Sequence, residues 1–156
     1  MSHFGFSDHD HSSCIVQTVQ EVEARCAAER LQLTPVRRRV LEILLQKHQA
    51  LGAYDILDVL RQEGLGSQPP VAYRALDFLV THGFAHKIEK LNAFVACTHP
   101  GEDHAPAFLI CRDCHAVAEA HGARVVLGKN VQTSGFAVET MVIECEGLCP
   151  NCQDAA

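Results

Sequence analysis

The first half of the chain alternates apolar and polar residues with the period of an α-helix. Apolar positions three or four apart predict a helix over residues 14–30. Thr34 followed by Pro35 predicts the start of a second helix, running to about residue 46, because threonine caps helices well and proline fits the first turn. The same spacing predicts a third helix after Gly52 and a fourth from about Pro69, which ends before a glycine.

Shorter elements with a different pattern follow the fourth helix. Residues 84–89 and 93–97 predict two strands joined by a turn. Helices followed by such a hairpin are typical of a winged helix-turn-helix, although periodicity alone leaves an unspecialised helical bundle with a hairpin open. The pattern beyond residue 106 predicts a small α/β unit, with strands at 107–111 and 117–120, a helix at 123–134 and a long strand at 136–145.

The composition sets the class of protein. The 156 residues are 47% hydrophobic and 21% charged, as in soluble globular proteins. No apolar run approaches the roughly 18–20 residues of a membrane span, and the first residues lack the basic and apolar regions of a signal peptide. We therefore expect a cytoplasmic protein with no membrane partner. Eight cysteines in a reducing compartment favour metal ligation or redox chemistry over disulfides.

The net charge of −6 is unevenly distributed. Residues 30–90 carry nine Lys and Arg against six Asp and Glu, whereas residues 1–29 carry one against five and residues 91–156 carry three against eight. Only the middle segment has a sign suited to phosphates, so the predicted winged helix is also the segment electrostatically suited to nucleic acid.

The strongest chemical signal is a pair of Cys-x-x-Cys motifs, Cys111 with Cys114 and Cys149 with Cys152. Two thiolates three residues apart can hold one metal ion from a single turn, and two such turns complete a tetrahedral zinc site. The α/β unit lies between the two pairs, so the ion would tie its ends together and serve folding. A dithiol redox pair and unligated cysteines are the alternatives.

Further histidines and one cysteine gather around the polar segment THPGEDHA at 98–105. They are His82, His86, Cys97, His99, His104, His115 and His121. Their density predicts a second metal site, and a thiolate among imidazoles favours zinc over hard cations. A site that takes ligands from two domains fixes their relative orientation only when metal is bound, as a sensor requires.

Six stretches resemble one known family. They are LTPVR at 33–37, AYD at 53–55, YRALDFL at 73–79, GFAHK at 83–87, FLICRDC at 108–114 and GLCPNC at 147–152. Through them, residues 31–152 resemble the Fur family of metalloregulators, and within it the zinc uptake regulator branch. Iron-sensing members carry a histidine near the position of Met141, so this difference also favours zinc.

The resemblance implies an α+β protein, a winged helix-turn-helix followed by a small α/β dimerisation domain with a four-cysteine zinc site. The expected divisions are a disordered tail at 1–12, a winged-helix domain at 13–97, a hinge at 98–105 and a dimerisation and metal-binding domain at 106–153. It also implies two zinc ions per chain, one structural and one regulatory. The regulatory ligands would be His86, Cys97, His104 and Glu119.

The implied partner is double-stranded DNA, as an inverted-repeat operator bound by a zinc-loaded homodimer that represses zinc-uptake genes. Tyr73 and Arg74 would reach base edges from the recognition helix, and Arg37 and Arg38 would bind phosphates. The family usually has threonine at the position of Val71, which changes one expected phosphate contact. Asp58 and Arg61, three residues apart, are expected to pair with one another.

Three alternatives stay open from the sequence. One is an iron- or peroxide-sensing member of the same family. Another is a zinc hydrolase with Glu119 as the base, although the chain has no H-E-x-x-H and no G-x-S-x-G motif, and we expect no enzyme. The third is a zinc-dependent protein-interaction module that does not bind DNA.

Overall fold

The computed structural model describes residues 6, 11–47, 49–101, 105–120 and 124–155. Its helices are α1 (His11–Glu29), α2 (Pro35–Leu45), α3 (Ala53–Gln62), α4 (Pro69–Thr81), α5 (Lys129–Gln132) and α6 (Pro150–Asp154). Its strands are β1 (Ala85–Ile88), β2 (Ala93–Ala96), β3 (Ala107–Cys111), β4 (Val117–Ala120) and β5 (Ile143–Gly147). The fold is therefore α+β, as the sequence predicts. In the described residues no helix combines the length and apolarity needed to cross a membrane.

The first four helices pack around one apolar core. Each helix contributes buried positions that the sequence spacing predicts, for example Val22, Val40, Leu60 and Leu76, all fully buried. The predicted start of α2 is confirmed, because the Thr34 side chain accepts a hydrogen bond from the backbone N–H of residue 37 at 3.3 Å. The core makes the helical part rigid enough to present α4 and the hairpin in fixed positions.

The wing is the antiparallel hairpin of β1 and β2, in which His86 lies opposite Val95. A bridge between Leu51 and Phe94 adds the segment before α3 to the same sheet, with backbone hydrogen bonds of 2.9 and 2.8 Å. The hairpin turn includes Asn92 with φ of +46°, a left-handed conformation that asparagine tolerates. The wing is thereby tied to the helical core.

A three-stranded sheet of order β4-β3-β5 forms the second half of the fold. β3 runs antiparallel to β4 and parallel to β5. In this register Phe108 at the centre has Glu119 beside it on β4 and Glu144 beside it on β5. Residues that lie side by side on neighbouring strands share one face of a sheet, so these three form a single row.

The wing packs on this sheet through a second, smaller apolar cluster. Ile88 of the wing is buried with Phe108, Ile110 and Val117 of the sheet, and Val95 packs against them. Burial of these side chains gives the two halves a preferred relative position. Residue 49 adds a backbone bridge to Ala116 next to the first cysteine pair.

Two predicted elements in the second half are wrong in extent. The predicted helix at 123–134 is reduced to the single turn of α5, and residues 124–128 have no regular structure. The predicted strand at 136–145 is instead β5, which begins only at Ile143. A strand forms where a neighbour offers hydrogen bonds, and β3 lies alongside residues 143–147 only.

The bounds of the first helix also differ from the expectation. The predicted tail at 1–12 overlaps α1, which begins at His11, and of the residues before it only position 6 is described. The other N-terminal positions lie outside the described residues, so the expectation of disorder there stays a prediction.

Candidate metal centres and the recognition helix

The two Cys-x-x-Cys pairs come together at one end of the three-stranded sheet. Cys111 ends β3 and Cys149 caps α6 directly after β5, so parallel pairing of the two strands places the motifs side by side. All four Sγ atoms lie within 4.8 Å of one another, and those of Cys114 and Cys149 are 3.7 Å apart. Four thiolates bound to zinc at about 2.3 Å form a tetrahedron with edges of roughly 3.8 Å, so the cluster has the right size for the ion.

Hydrogen bonds from backbone N–H groups lower the pKa of one of these thiols. N–H groups of the turn and of Cys149, whose nitrogen is 3.4 Å from the Cys111 sulfur, lower the pKa of Cys111 to about 6. The pKa of Cys152 is raised to about 12, chiefly by hydrogen bonding to Cys149. The hydrogen bonds of this cluster therefore favour the thiolate form of Cys111 and the protonated form of Cys152, whose proton a cation would displace.

A second group of ligand atoms lies where the wing meets the sheet. The ligand atoms of His86, Cys97 and Glu119 lie within 4.8 Å of one another. Cys97 is fully buried, and the Glu119 side chain is 2% exposed. His86 and Cys97 come from the two sides of the hairpin and Glu119 from β4, so both halves of the fold contribute.

The carboxylate of Glu119 is held in a defined orientation. Its Oε2 accepts hydrogen bonds from the N–H and the hydroxyl of Thr98, both at 3.1 Å. Its Oε1 lies 3.5 Å from Nε2 of His86. One oxygen is thus held by Thr98 while the other lies near the imidazole, the arrangement in which outer hydrogen bonds orient a metal ligand. Sequence reasoning missed Thr98, whose only signal is its position directly after Cys97.

The other candidate ligands do not join this group in the described residues. His82 packs its ring on Phe78, with centroids 4.7 Å apart, and His99 contacts the Thr98 hydroxyl at 3.2 Å. His115 occupies the turn of the first cysteine pair with φ of +60°. His104 and His121 lie outside the described residues, so the position of His104 stays a prediction. One sulfur, one imidazole nitrogen and one carboxylate oxygen suit zinc, which accepts all three ligand types.

Helix α4 presents an exposed face suited to a recognition helix. Tyr73, near its first turn, is 42% exposed, and Arg74 beside it is exposed as well. Ala72, Ala75 and Leu76 face the core, which fixes the rotation of the helix. The structure therefore makes both predicted base-contacting side chains accessible.

The arginines of α2 have partners within the chain. Arg38 pairs with Glu23 and, at 3.1 Å, with Glu42. Arg37 places its guanidinium 4.0 Å from the centre of the Phe78 ring and donates to a backbone carbonyl. Arg38 could bind a phosphate only after it releases these two carboxylates. Arg37, which has no carboxylate partner among the described contacts, is therefore more available for a phosphate contact. The predicted pair of Asp58 and Arg61 is confirmed at 2.9 Å.

Comparison with known proteins identifies relatives of this chain. No protein-family model matches it. The zinc uptake regulation protein of Escherichia coli (strain K12) is 39% identical over 139 residues, which are 87% of this chain and 81% of that protein. A zinc uptake regulator complexed with zinc and DNA has a TM-score of 0.78 at 35% identity, covering 90% of this chain and 96% of the other.

One similar protein has been solved in both a holo and an apo form. Holo XcZur has a TM-score of 0.78 at 40% identity, covering 90% of this chain and 99% of the other. Apo XcZur has a TM-score of only 0.50 at 38% identity, covering 89% and 97%. At nearly equal identity and coverage, this chain is more similar in structure to the holo form than to the apo form.

A winged helix joined to a sheet that carries a four-cysteine cluster defines the class of winged-helix metalloregulators. The sequence identity and coverage shared with the zinc uptake regulators place the chain in one branch of this class. The chain belongs to the zinc uptake regulator family. The family predicted from the six sequence stretches is confirmed.

Proposed function

We propose that this protein is a cytoplasmic, zinc-responsive transcriptional repressor. In this proposal a homodimer with two zinc ions per chain binds an inverted-repeat operator and represses zinc-uptake genes. The names of the relatives support it, since one is a regulation protein for zinc uptake and another was solved with zinc and DNA. Those names describe regulators and not enzymes.

The observation that carries the proposal is the second ligand group. His86 and Cys97 belong to the wing, while Glu119 belongs to the sheet of the other half. An ion held by all three can bind fully only when the wing lies against the sheet. Zinc therefore favours this arrangement over any other in which the ligands are apart. We include His104 as the fourth ligand on the family resemblance.

This preference for one arrangement would link zinc to DNA. The two recognition helices of a dimer fit successive major grooves only at one spacing, so fixing each wing fixes the spacing. The difference between the holo and apo similarities of one relative supports a metal-dependent arrangement. Coupling of this kind is typically about 1–3 kcal/mol, or roughly five- to 150-fold in operator affinity.

The second half of the fold offers a surface for the second copy. Large apolar side chains are exposed there, with Val126 at 85% and Phe136 at 74%. β5 is an edge strand among the described residues, and Val142 beside it is exposed too. An exposed apolar surface of this kind next to an open strand edge is typical of a protein interface. We assign it to the dimer, in a domain spanning 106–153 that the hinge at 98–105 joins to the winged helix at 13–97.

The two metal groups would have different roles. The four-cysteine cluster offers a closed set of ligands and would hold a structural zinc through Cys111, Cys114, Cys149 and Cys152. The second group would hold the regulatory ion, and its buried thiolate favours zinc over iron(II). Tyr73 and Arg74 would contact bases and Arg37 phosphate, with Arg38 joining after exchange of its carboxylate partners.

Operator titrations with and without metal test the proposal. Zinc should raise operator affinity at least fivefold, and iron(II) or manganese(II) should do so less at equal free concentration. Cys97→Ser should keep a folded dimer with its structural zinc but remove the zinc-dependent gain. Cys14→Ser is the matched control, because Cys14 lines the cavity next to Cys97 without belonging to the ligand group. A Cys97→Ser protein that keeps the full zinc response would refute the regulatory site.

A further inference from the structure

We propose that Glu144 is a positioning residue that clamps the tip of the wing to the sheet and thereby supports the arrangement in which the regulatory site is complete. The inference rests on the proposed zinc-responsive function, but it concerns a contact that contains no metal ligand. Glu144 lies on β5, and its side chain reaches across to the turn of the hairpin.

The contact has a defined geometry. One oxygen of the Glu144 carboxylate accepts the backbone N–H of Glu89 at 2.6 Å, and the other accepts the N–H of Lys90 at 3.0 Å. Two consecutive amides facing one carboxylate form a small anion-binding nest. Hydrogen bonds to a charged acceptor are stronger than neutral ones, and here both oxygens are engaged. The clamp is therefore specific for a carboxylate at position 144.

A second charged contact connects the same two segments. The ammonium group of Lys90 lies 2.7 Å from a carboxylate oxygen of Glu146, two residues further along β5. The side chains of Lys90 and Glu146 are 47% and 42% exposed. An exposed ion pair of this kind contributes little, so the paired amides provide most of the attachment.

The position of Glu144 in the sheet explains why this contact matters for the metal group. Glu119, Phe108 and Glu144 form one row across β4, β3 and β5 on one face. The ring of Phe108 lies 5.4 Å from that of His86. The wing therefore contacts this row at three points. The ligand group lies at Glu119, the ring contact with His86 lies at Phe108, and the clamp lies at Glu144.

The clamp and the metal group therefore favour the same arrangement from opposite ends of the hairpin. Because the clamp needs no metal, it lowers the free-energy cost of docking the wing on the sheet before zinc binds. Linkage then requires that loss of the clamp weaken zinc binding at the second group, although residue 144 does not touch the ion. Two hydrogen bonds of ordinary net strength correspond to roughly five- to fiftyfold in zinc affinity.

Measurements on the DNA-free protein test this inference separately from the repressor function. With the four-cysteine cluster loaded, zinc affinity at the second group is measured by competition with a chelating dye, and amide exchange is followed at positions 89 and 90. Glu144→Ala should weaken zinc binding about five- to fiftyfold and speed exchange of both amides at least tenfold. Glu144→Gln keeps one acceptor oxygen and should give intermediate effects, which also covers the case that the alanine variant folds poorly.

Glu89→Gln is the matched control. It removes one negative charge from the same turn but keeps the backbone N–H that Glu144 accepts, so zinc affinity and amide exchange should stay as in the unmodified protein. Unchanged affinity and exchange in both Glu144 variants would overturn the clamp, as would an equal loss in the Glu89→Gln protein. If the unmodified protein binds no second zinc, the repressor proposal fails, while the amide exchange rates still decide whether the clamp exists.

Discussion

Replacing Ile88 tests whether apolar packing between the wing and the sheet builds the regulatory site. Ile88 is fully buried, and it belongs to the small cluster at this junction and not to the helical core. Ile88→Ala removes three carbon atoms, worth about 0.8 kcal/mol each in transfer, and leaves a cavity. We expect a loss of about 2–4 kcal/mol in the docked arrangement.

The Ile88→Ala substitution should lower zinc affinity more strongly than it lowers the free energy of unfolding of the helical core. An undocked wing can keep its own hairpin and its bridge to Leu51, so the helical core needs no change. If docking and zinc binding are linked, weakening docking by about 2 kcal/mol lowers zinc affinity at the second group about thirtyfold. Zinc titration against a chelating dye, with the cysteine cluster loaded, measures this directly.

A matched deletion in the other core provides the control. Leu60 is also fully buried, but it belongs to the helical cluster. Leu60→Ala should lower the free energy of unfolding by about 2–5 kcal/mol while zinc affinity changes by less than about threefold. If Ile88→Ala binds zinc as tightly as the unmodified protein, the packing of the wing on the sheet does not control the site, and the reasoning is refuted.

Three further predictions concern the other functional surfaces. In zinc-free protein the stability contributed by the Cys111 thiolate should be complete above pH 9 and decline as pH falls through about 6, because folding lowers the pKa of this group. Denaturant unfolding of the zinc-free protein across this pH range measures the decline, and a stability that does not fall as the pH drops would contradict the assignment. Arg74→Ala should weaken operator binding by about 1–3 kcal/mol with zinc content unchanged, whereas Arg37→Ala should weaken operator and unrelated DNA alike and flatten the salt dependence; equal loss of specificity in both would contradict the assignment. Phe136→Ser should shift the dimer toward monomer in sedimentation without loss of structural zinc, and an unchanged dimer would place the interface elsewhere.

Features set by near neighbours in the sequence were predictable. The helix start at Thr34 depends on one side chain and one amide three residues away. The Cys-x-x-Cys spacing likewise forces each pair of sulfurs onto one turn, so a four-cysteine cluster could be expected before its geometry was known. The hairpin could also be predicted, and with it the presence of His86 and Cys97 on the same piece of structure.

The two predicted elements that were wrong in extent contain large apolar residues that the described part of the chain leaves exposed. The stretches 123–134 and 136–145 were predicted as a long helix and a long strand because their apolar residues recur at suitable intervals. In the structure Val126 and Phe136 are exposed. An apolar pattern shows which residues favour burial, but it does not show which surface buries them.

The sequence by itself determined the family, the helices of the first half and the candidates for metal ligation, because these depend on motifs, local spacing and side-chain chemistry. Only the tertiary structure decided that Thr98 holds one oxygen of the Glu119 carboxylate and that Glu144 holds the turn of the hairpin. Each of these contacts joins residues more than twenty positions apart. They depend on the register of three strands and on the docking of the wing, which no local pattern encodes.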